Sequence, residues 1–241
     1  MAVSVVVPVR NEAENILPLI EEIAAALGDR RDYEIIYVND GSTDATGTRL
    51  AEAASRWPGV RQIRHAVSTG QSAALRSGVR AARGAIVATL DGDGQNDPAF
   101  LTRLIAAVEH GNERIGLAAG QRVGRKDTGF KKFQSRAANA IRSAFLQDGT
   151  RDTGCGLKAF PREVFLMLPY FDGLHRFLPA LVRREGYAIA YVDVIDRPRL
   201  SGVSNYGFFD RLWIGIMDLF GVWWLIHRKK PTPVATEVTS S

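Results

Sequence analysis

Apolar runs recur along the chain, each followed by a polar turn and then by a pattern of helical period. VSVVVPV at 3–9 is unbroken and β-branched, the mark of a strand buried on both faces of a parallel sheet. ILPLIEEIAAAL then repeats apolar residues at helical spacing, and YEIIYVND is a second buried strand. GSTDATGTRLAEAA restarts a helix, with Ser42 or Thr43 as the expected cap. A weaker strand at VRQIRHA precedes a helix over GQSAALRSGVRAAR and a third strong strand at AIVATLD. DPAFLTRLIAAVEHG predicts another amphipathic helix and IGLAAGQR a further strand. From about 125 to 150 the pattern is helical and basic. CGLKAFPREVFLML and FLPALVRREGYAIAYVDVIDRPR then predict strand–helix and helix–strand units. Such alternation with short loops predicts an α/β fold, a mostly parallel sheet flanked by helices.

The segment FFDRLWIGIMDLFGVWWLIHRKK departs from that pattern. Its apolar run from Leu212 to Ile226 would be roughly 23 Å long as a helix, short of a bilayer core of about 30 Å. Asp218 also interrupts it. On a helical wheel Arg211, Gly215 and Asp218 share a narrow stripe, and the remaining face is apolar. The expectation is an amphipathic helix over 208–230 lying in a membrane surface, with Arg228, Lys229 and Lys230 on anionic phosphates. The alternative is a helix that completes the core or a dimer interface. The tail 231–241 is polar and expected to be disordered.

Composition changes this picture little. The 241 residues are 46% apolar and 24% charged, enough for a real core. The opening MAVSVVVPVRNE lacks the charged leader and the apolar length of a secretory signal. With a single cysteine, Cys155, this predicts a cytoplasmic chain. The net charge of +5 suits an anionic partner. Its basic residues gather after 120, in GQRVGRKDTGFKKFQSR, DRPRL and HRKKP, and no nucleic-acid module accompanies them.

In open parallel sheets, ligands bind at the carboxyl ends of the strands. Three predicted strands end in polar turns: VPVRNEAEN, VNDGSTD and TLDGDGQNDP. In the last, Asp91, Asp93 and Gln95 alternate, so an extended stretch would project them to one side. Hard oxygen ligands at that spacing suit Mg²⁺ or Mn²⁺; the alternative is an ordinary solvated turn. An EF-hand is excluded, since counting from Asp91 position six is Asn96 and position twelve is Thr102. His65, His110, His175 and His227 are scattered, and none is expected to be a catalytic base.

VSVVVPVRNEAENI, YVNDGSTD, TGQSAAL and LDGDGQNDP resemble the nucleotide-sugar half of family 2 inverting glycosyltransferases, which have the GT-A (Rossmann-like, nucleotide-sugar-binding) fold. GQRVGRKD, RDTGCGLKAF, HRFLPALVRREGY and RPRLSGVSNYG resemble the polyprenyl-phosphate glycosyltransferases of that family, the dolichol-phosphate mannosyltransferase type. The resemblance implies a GT-A domain over 1–207, with a nucleotide-sugar half (1–120) and an acceptor half (121–207). It implies that Pro8, Asn11, Glu12, Asp40 and Gln71 serve the nucleotide sugar, a UDP- rather than GDP-sugar. Asp91 and Asp93, joined by Gln95, would hold the metal on the donor diphosphate. Arg122, Arg125, Arg136, Arg197 and Arg199 would surround donor and acceptor phosphates, with Ser204 and Tyr206 in an acceptor loop. Ser68 departs from the family, which often has Asn there. The implied partners are the nucleotide sugar, a polyprenyl phosphate and a membrane surface, with a homo-oligomer or a membrane-protein partner possible. The implied setting is the inner face of the plasma membrane.

The chemistry agrees with that implication. A metal on the diphosphate offsets charge growing on the leaving group, and arginines add bidentate phosphate contacts. A phosphate monoester acceptor is already ionised near neutral pH, so it needs positioning rather than deprotonation. Asp152 could orient or activate the acceptor, hold an arginine, or close a turn. The competing readings are transfer to a hydroxyl of a glycolipid or polysaccharide, which needs a general base, and a non-catalytic membrane adaptor of the same fold. A dehydrogenase is a weaker reading, because no G-x-G-x-x-G follows the first strand.

Overall fold

The computed structural model describes residues 1–28, 30, 32–111, 114–123, 142, 145–146, 148–197 and 208–230, with side chains in the last helix from Gly215 onward. Arg125, Arg136, Arg199, Ser204 and Tyr206, the segment KDTGFKK and the tail lie outside these residues, as does nearly all of the basic helical stretch expected before 150.

Each apolar run becomes a strand: β1 (Val3–Val9), β2 (Tyr33–Asp40), β3 (Val60–His65), β4 (Ile86–Thr89), β5 (Ile115–Arg122), β6 (Lys158–Pro161) and β7 (Ala188–Val194). They form one sheet in the order β3-β2-β1-β4-β6-β5-β7. β1, β2, β3 and β4 pair in parallel, as do β5 and β7. β6 runs antiparallel to both its neighbours. It comes from beyond residue 120 yet sits between two strands from before it, so the two halves share one sheet.

Helices cover both faces: α1 (Ile16–Ala26), α2 (Thr46–Arg56), α3 (Gln71–Ala81), α4 (Leu101–Glu109), α5 (Arg162–Met167), α6 (Leu174–Arg184) and α7 (Phe208–His227). The alternation of side chains along β1 divides the core. Val3, Val5, Val7 and Val9 pack with Ile20, Ile23, Leu50, Leu104 and Ile105 of α1, α2 and α4. Val6 faces the other way, into the cluster holding Val79, Phe165, Leu178, Leu181 and Val222 of α3, α5, α6 and α7. Each such fully buried aliphatic side chain contributes about 1.5–3 kcal/mol of transfer free energy. The result is the mixed α/β fold expected of the GT-A class.

Two local expectations need correction. α2 starts at Thr46, not after Ser42 or Thr43. Asp44 caps the turn instead, its Oδ1 accepting from Thr46 N at 2.9 Å and from Thr46 Oγ1 at 2.6 Å. Ser42 accepts Asn11 N–H and Thr43 donates N–H to Asn11 Oδ1, so both are spent on joining two loops.

The last helix forms but is not a uniformly exposed surface element. Val222 is fully buried, Leu219, Leu225 and Ile226 pack on the core, and Arg184 donates to Leu225 O at 2.9 Å. Asp218 is not part of a wet stripe either. Its Oδ2 is buried with no hydrogen bond among the described residues, 2.8 Å from where a Cβ on Gly173 would lie, and burial raises its pKa. Lys229, expected on lipid phosphates, donates to Glu185 Oε2 at 2.8 Å and to Arg184 O at 2.6 Å. The opposite face does stay exposed, at Ile216, Met217, Phe220, Trp223 and Trp224. Among the described residues no helix is long and apolar enough to cross a membrane.

Candidate active site

β1, β2, β4, β5 and β7 all end at one edge of the sheet, and antiparallel β6 begins there. The turns converge as expected and are tied to one another. Asn11, at φ 57°, tolerates the left-handed conformation that most side chains avoid. That conformation lets its Oδ1 take Thr43 N–H at 2.8 Å. Glu12 N–H goes to Thr46 Oγ1 at 2.9 Å, and Glu12 Oε2 accepts from Asn15.

Asp40, at the end of β2, organises the loop before α3. Its carboxylate accepts the N–H groups of Thr69 and Gly70, the hydroxyls of Ser68 and Thr69, and His65 Nδ1 at 2.7 Å. Burial works to raise its pKa, but these donors win and hold it at about 2. Ser68, the position that departs from the family pattern, is one of the donors.

A cleft of about 610 Å³ opens beside these turns. Pro8, Gln71, Asp91 and Asp93 line it, with Thr153, Gly154, Gly156 and Lys158 on one wall and His175 and Arg176 on another. Asn11, Glu12, Asp40, Gln95, Arg122, Asp152 and Arg197 lie outside this lining.

The 91–97 stretch is a turn, not the extended ladder the alternation predicted. Gly94 adopts φ 73°, Asp93 Oδ1 accepts Gln95 N–H at 3.1 Å, and Asp91 N–H goes to Asn96 Oδ1 at 2.9 Å. Asp91 and Asp93 still come close enough to repel. Burial, then Asp93, pushes Asp91 up to about 6, against the pull of Lys158 and Arg122. Gln71 Nε2 donates to Asp91 Oδ1 at 2.9 Å. The contrast with Glu34, buried beside β3, is informative. Burial also works to raise that carboxylate, but Arg61, the Arg83 N–H and Ser4 bring it below its ordinary value. Among the described residues, Gln71 is the hydrogen-bond donor to the Asp91 carboxylate. Asp91 keeps a raised pKa despite Lys158 and Arg122, and a hard divalent cation between it and Asp93 fits that pair.

Lys158 was not anticipated. It is 6% exposed, opens β6 opposite Thr89, and donates to Cys155 O beneath Asp91. Burial lowers its pKa, while Asp91 and Asp152 favour the charged form. The signal was present in CGLKAF, a lone cation in an otherwise apolar strand. Cys155 beside it is a buried thiol whose pKa burial pushes up to about 11, an inert packing residue.

Arg122 and Asp152 answer one open question. The Arg122 guanidinium forks onto Asp152, at 2.5 Å to Oδ2 and 2.8 Å to Oδ1, and reaches Asp196 Oδ2 at 3.1 Å. Burial works to raise the Asp152 pKa, but Arg122 brings it below the carboxylate norm. Arg197 points to Glu22 and Asp97 instead of the cleft.

The fold and acidic edge are those of a nucleotide-sugar transferase, and comparison with known proteins agrees. Residues 4–167 match the model of "Glycosyl transferase family 2". The chain belongs to this family. It is 33% identical over 234 residues to the dodecaprenyl-phosphate galacturonate synthase of Rhizobium johnstonii, covering 95% of this chain and 68% of that protein. It is also 33% identical to an undecaprenyl-phosphate 4-deoxy-4-formamido-L-arabinose transferase of an Enterobacter species, covering 86% of this chain and 63% of the relative. Among solved structures, glucosyl-3-phosphoglycerate synthase from Mycobacterium tuberculosis, in complex with Mn²⁺, UDP and phosphoglyceric acid, aligns with a TM-score of 0.68 at 22% identity. That alignment covers 96% of this chain and 80% of the other, and it shows the shared fold.

Proposed function

We propose that this glycosyltransferase moves a sugar from a uridine diphosphate sugar to a polyprenyl phosphate, with inversion, at the cytoplasmic face of a membrane. The observation that carries the reading is the half-buried Asp91–Asp93 pair at the cleft, in a chain whose relatives at 33% identity are named for polyprenyl-phosphate sugar transfer. Asp91 and Asp93 would hold Mg²⁺ or Mn²⁺, which when bound neutralises charge on the leaving diphosphate. Gln71 fixes the Asp91 carboxylate, and Lys158 supplies positive charge beneath it. Arg125, Arg136, Arg199, Ser204 and Tyr206 are proposed to complete the phosphate and acceptor contacts.

The state of Asp152 favours a phosphate acceptor over a hydroxyl. A hydroxyl needs a base, and a carboxylate committed to Arg122 with a depressed pKa is a weak one. A phosphate monoester brings its own charge. The exposed Ile216, Met217, Phe220 and Trp224 of α7 support seating at a lipid surface, where such an acceptor resides.

The test is radiolabel transfer from a panel of UDP- and GDP-sugars into organic-extractable lipid, with undecaprenyl phosphate and Mn²⁺ present. The expected result is label in the lipid phase that EDTA abolishes. Nucleotide release with no labelled lipid would overturn the acceptor assignment, and lipid labelling that survives EDTA would overturn the metal.

A further inference from the structure

Ser72 lies in the first turn of α3 and is fully buried. Its Oγ takes the Gly173 N–H at 3.1 Å and lies 2.8 Å from His175 Nδ1. A hydroxyl carries one proton to give. Among the described residues, Nδ1 is the acceptor within its reach, so Ser72 Oγ–H donates to Nδ1. A ring nitrogen that accepts holds no proton, which puts the imidazole proton on Nε2. Burial, with Lys158 and Arg176 nearby, pushes the His175 pKa down to about 3, so the ring is neutral across the physiological range.

His175 also lines the cleft. With Nδ1 turned to buried Ser72, the far edge of the ring is what it offers there. α6, which carries it, packs on β5, β7 and α3, and His175 meets the start of α3 at Ser72, one residue beyond Gln71, the donor to Asp91. On the transferase reading above, a diphosphate at Asp91 and Asp93 puts the donor's sugar in the cleft that His175 shares with them.

We infer that His175 is fixed by Ser72 as the Nε2–H tautomer and donates that N–H to an oxygen of the donor's sugar, selecting the sugar rather than the nucleotide. It is a binding residue with one hydrogen-bond direction, not a proton acceptor. A buried donor of fixed polarity discriminates strongly, because a sugar without the matching oxygen leaves the N–H unpaired.

Two measurements test this. In protein labelled with ¹⁵N-histidine, long-range ¹H–¹⁵N correlation should show a neutral Nε2–H ring for His175, unchanged from pH 5 to pH 8. A protonated ring or the Nδ1–H form would overturn the inference. The second compares calorimetric affinities for UDP and for UDP-sugars. His175→Asn keeps an acceptor for Ser72 and has no N–H at the Nε2 position. It should bind UDP within about twofold of the wild type and the preferred UDP-sugar about tenfold more weakly, a loss of about 1.4 kcal/mol. His175→Gln, which restores an N–H near that position, should recover most of the loss. Ser72→Ala, which frees the tautomer but leaves the ring, should show a smaller loss of the same kind. Equal loss for UDP and UDP-sugar, or no loss for either, would overturn the inference. A wild-type chain that binds no nucleotide sugar at all would instead sink the transferase reading, and the spectrum would still decide the tautomer.

Discussion

The Asp91 carboxylate is packed against the Cα of Gly156, so that a Cβ there would fall 2.6 Å from Oδ1. The two residues are far apart in sequence and meet because β6 pairs with β4. Asp91 is thus held by a backbone surface as well as by Gln71, and the close approach requires glycine. Gly156→Ala should displace the carboxylate and cut turnover at least about tenfold, with weaker Mn²⁺ binding by calorimetry. Unchanged metal affinity would show that the packing does not set the position of Asp91.

Asp93→Asn tests the acidic pair directly. It removes a like charge beside the half-buried Asp91 carboxylate, so the melting temperature in metal-free buffer should be equal to or above that of the wild type. Turnover should vanish. Retained turnover without added metal would remove the metal assignment from these residues.

Arg122→Ala should be costly, because the side chains of Asp152 and Asp196, 17% and 19% exposed, lose their cation. Urea denaturation should show a loss of about 2–4 kcal/mol. Asp152→Asn should cost less, since Arg122 keeps Asp196. A change below about 0.5 kcal/mol in Arg122→Ala would mean that the loop at 152–156 is held by other contacts.

Asp40 predicts a feature of acid unfolding. Its folded pKa of about 2 lies below the ordinary carboxylate value near 4, so it stabilises the fold above that value. The contribution is lost as pH falls from about 4 to about 2. Asp40→Asn, which keeps an acceptor oxygen without the charge, should flatten the stability curve in that window. An acid limb identical to the wild type would show that the carboxylate is not what orders residues 67–70.

Membrane seating is best tested by point changes, because Val222 is fully buried and a deletion of α7 would open the core. Phe220 and Trp224 are 53% and 55% exposed. Replacing both with Asp should leave the melt within a few degrees of the wild type and abolish co-sedimentation with phosphatidylglycerol vesicles. Binding that persists would place the lipid contact elsewhere.

The parallel strands were legible because continuous β-branched runs have few other homes. The shared edge was legible because three of them end in acidic or glycine-rich turns. The direction of β6 was not, since four residues, KAFP, carry no mark of strand polarity. Asp91 and Asp93 could be named from local spacing. Lys158 could not be placed beneath them without the β4–β6 register, and Arg122 and Asp152 were named separately although they act as one ion pair. The exposed face of α7 was visible in its residue types, but Lys229 was misassigned because Glu185 lies 44 positions away. Residue chemistry was readable; pairings between distant segments were not.

β6 ties the integrity of the sheet to that of the site. β4 and β5 do not touch each other in the sheet, and the slot between them is filled only when residues 158–161 dock. The same docking brings Lys158 under Asp91 and Gly156 against it. One strand of four residues thus joins the two parts of the sheet and completes the acidic site. Any change that unpairs residues 158–161 would therefore open the sheet and the acidic site together.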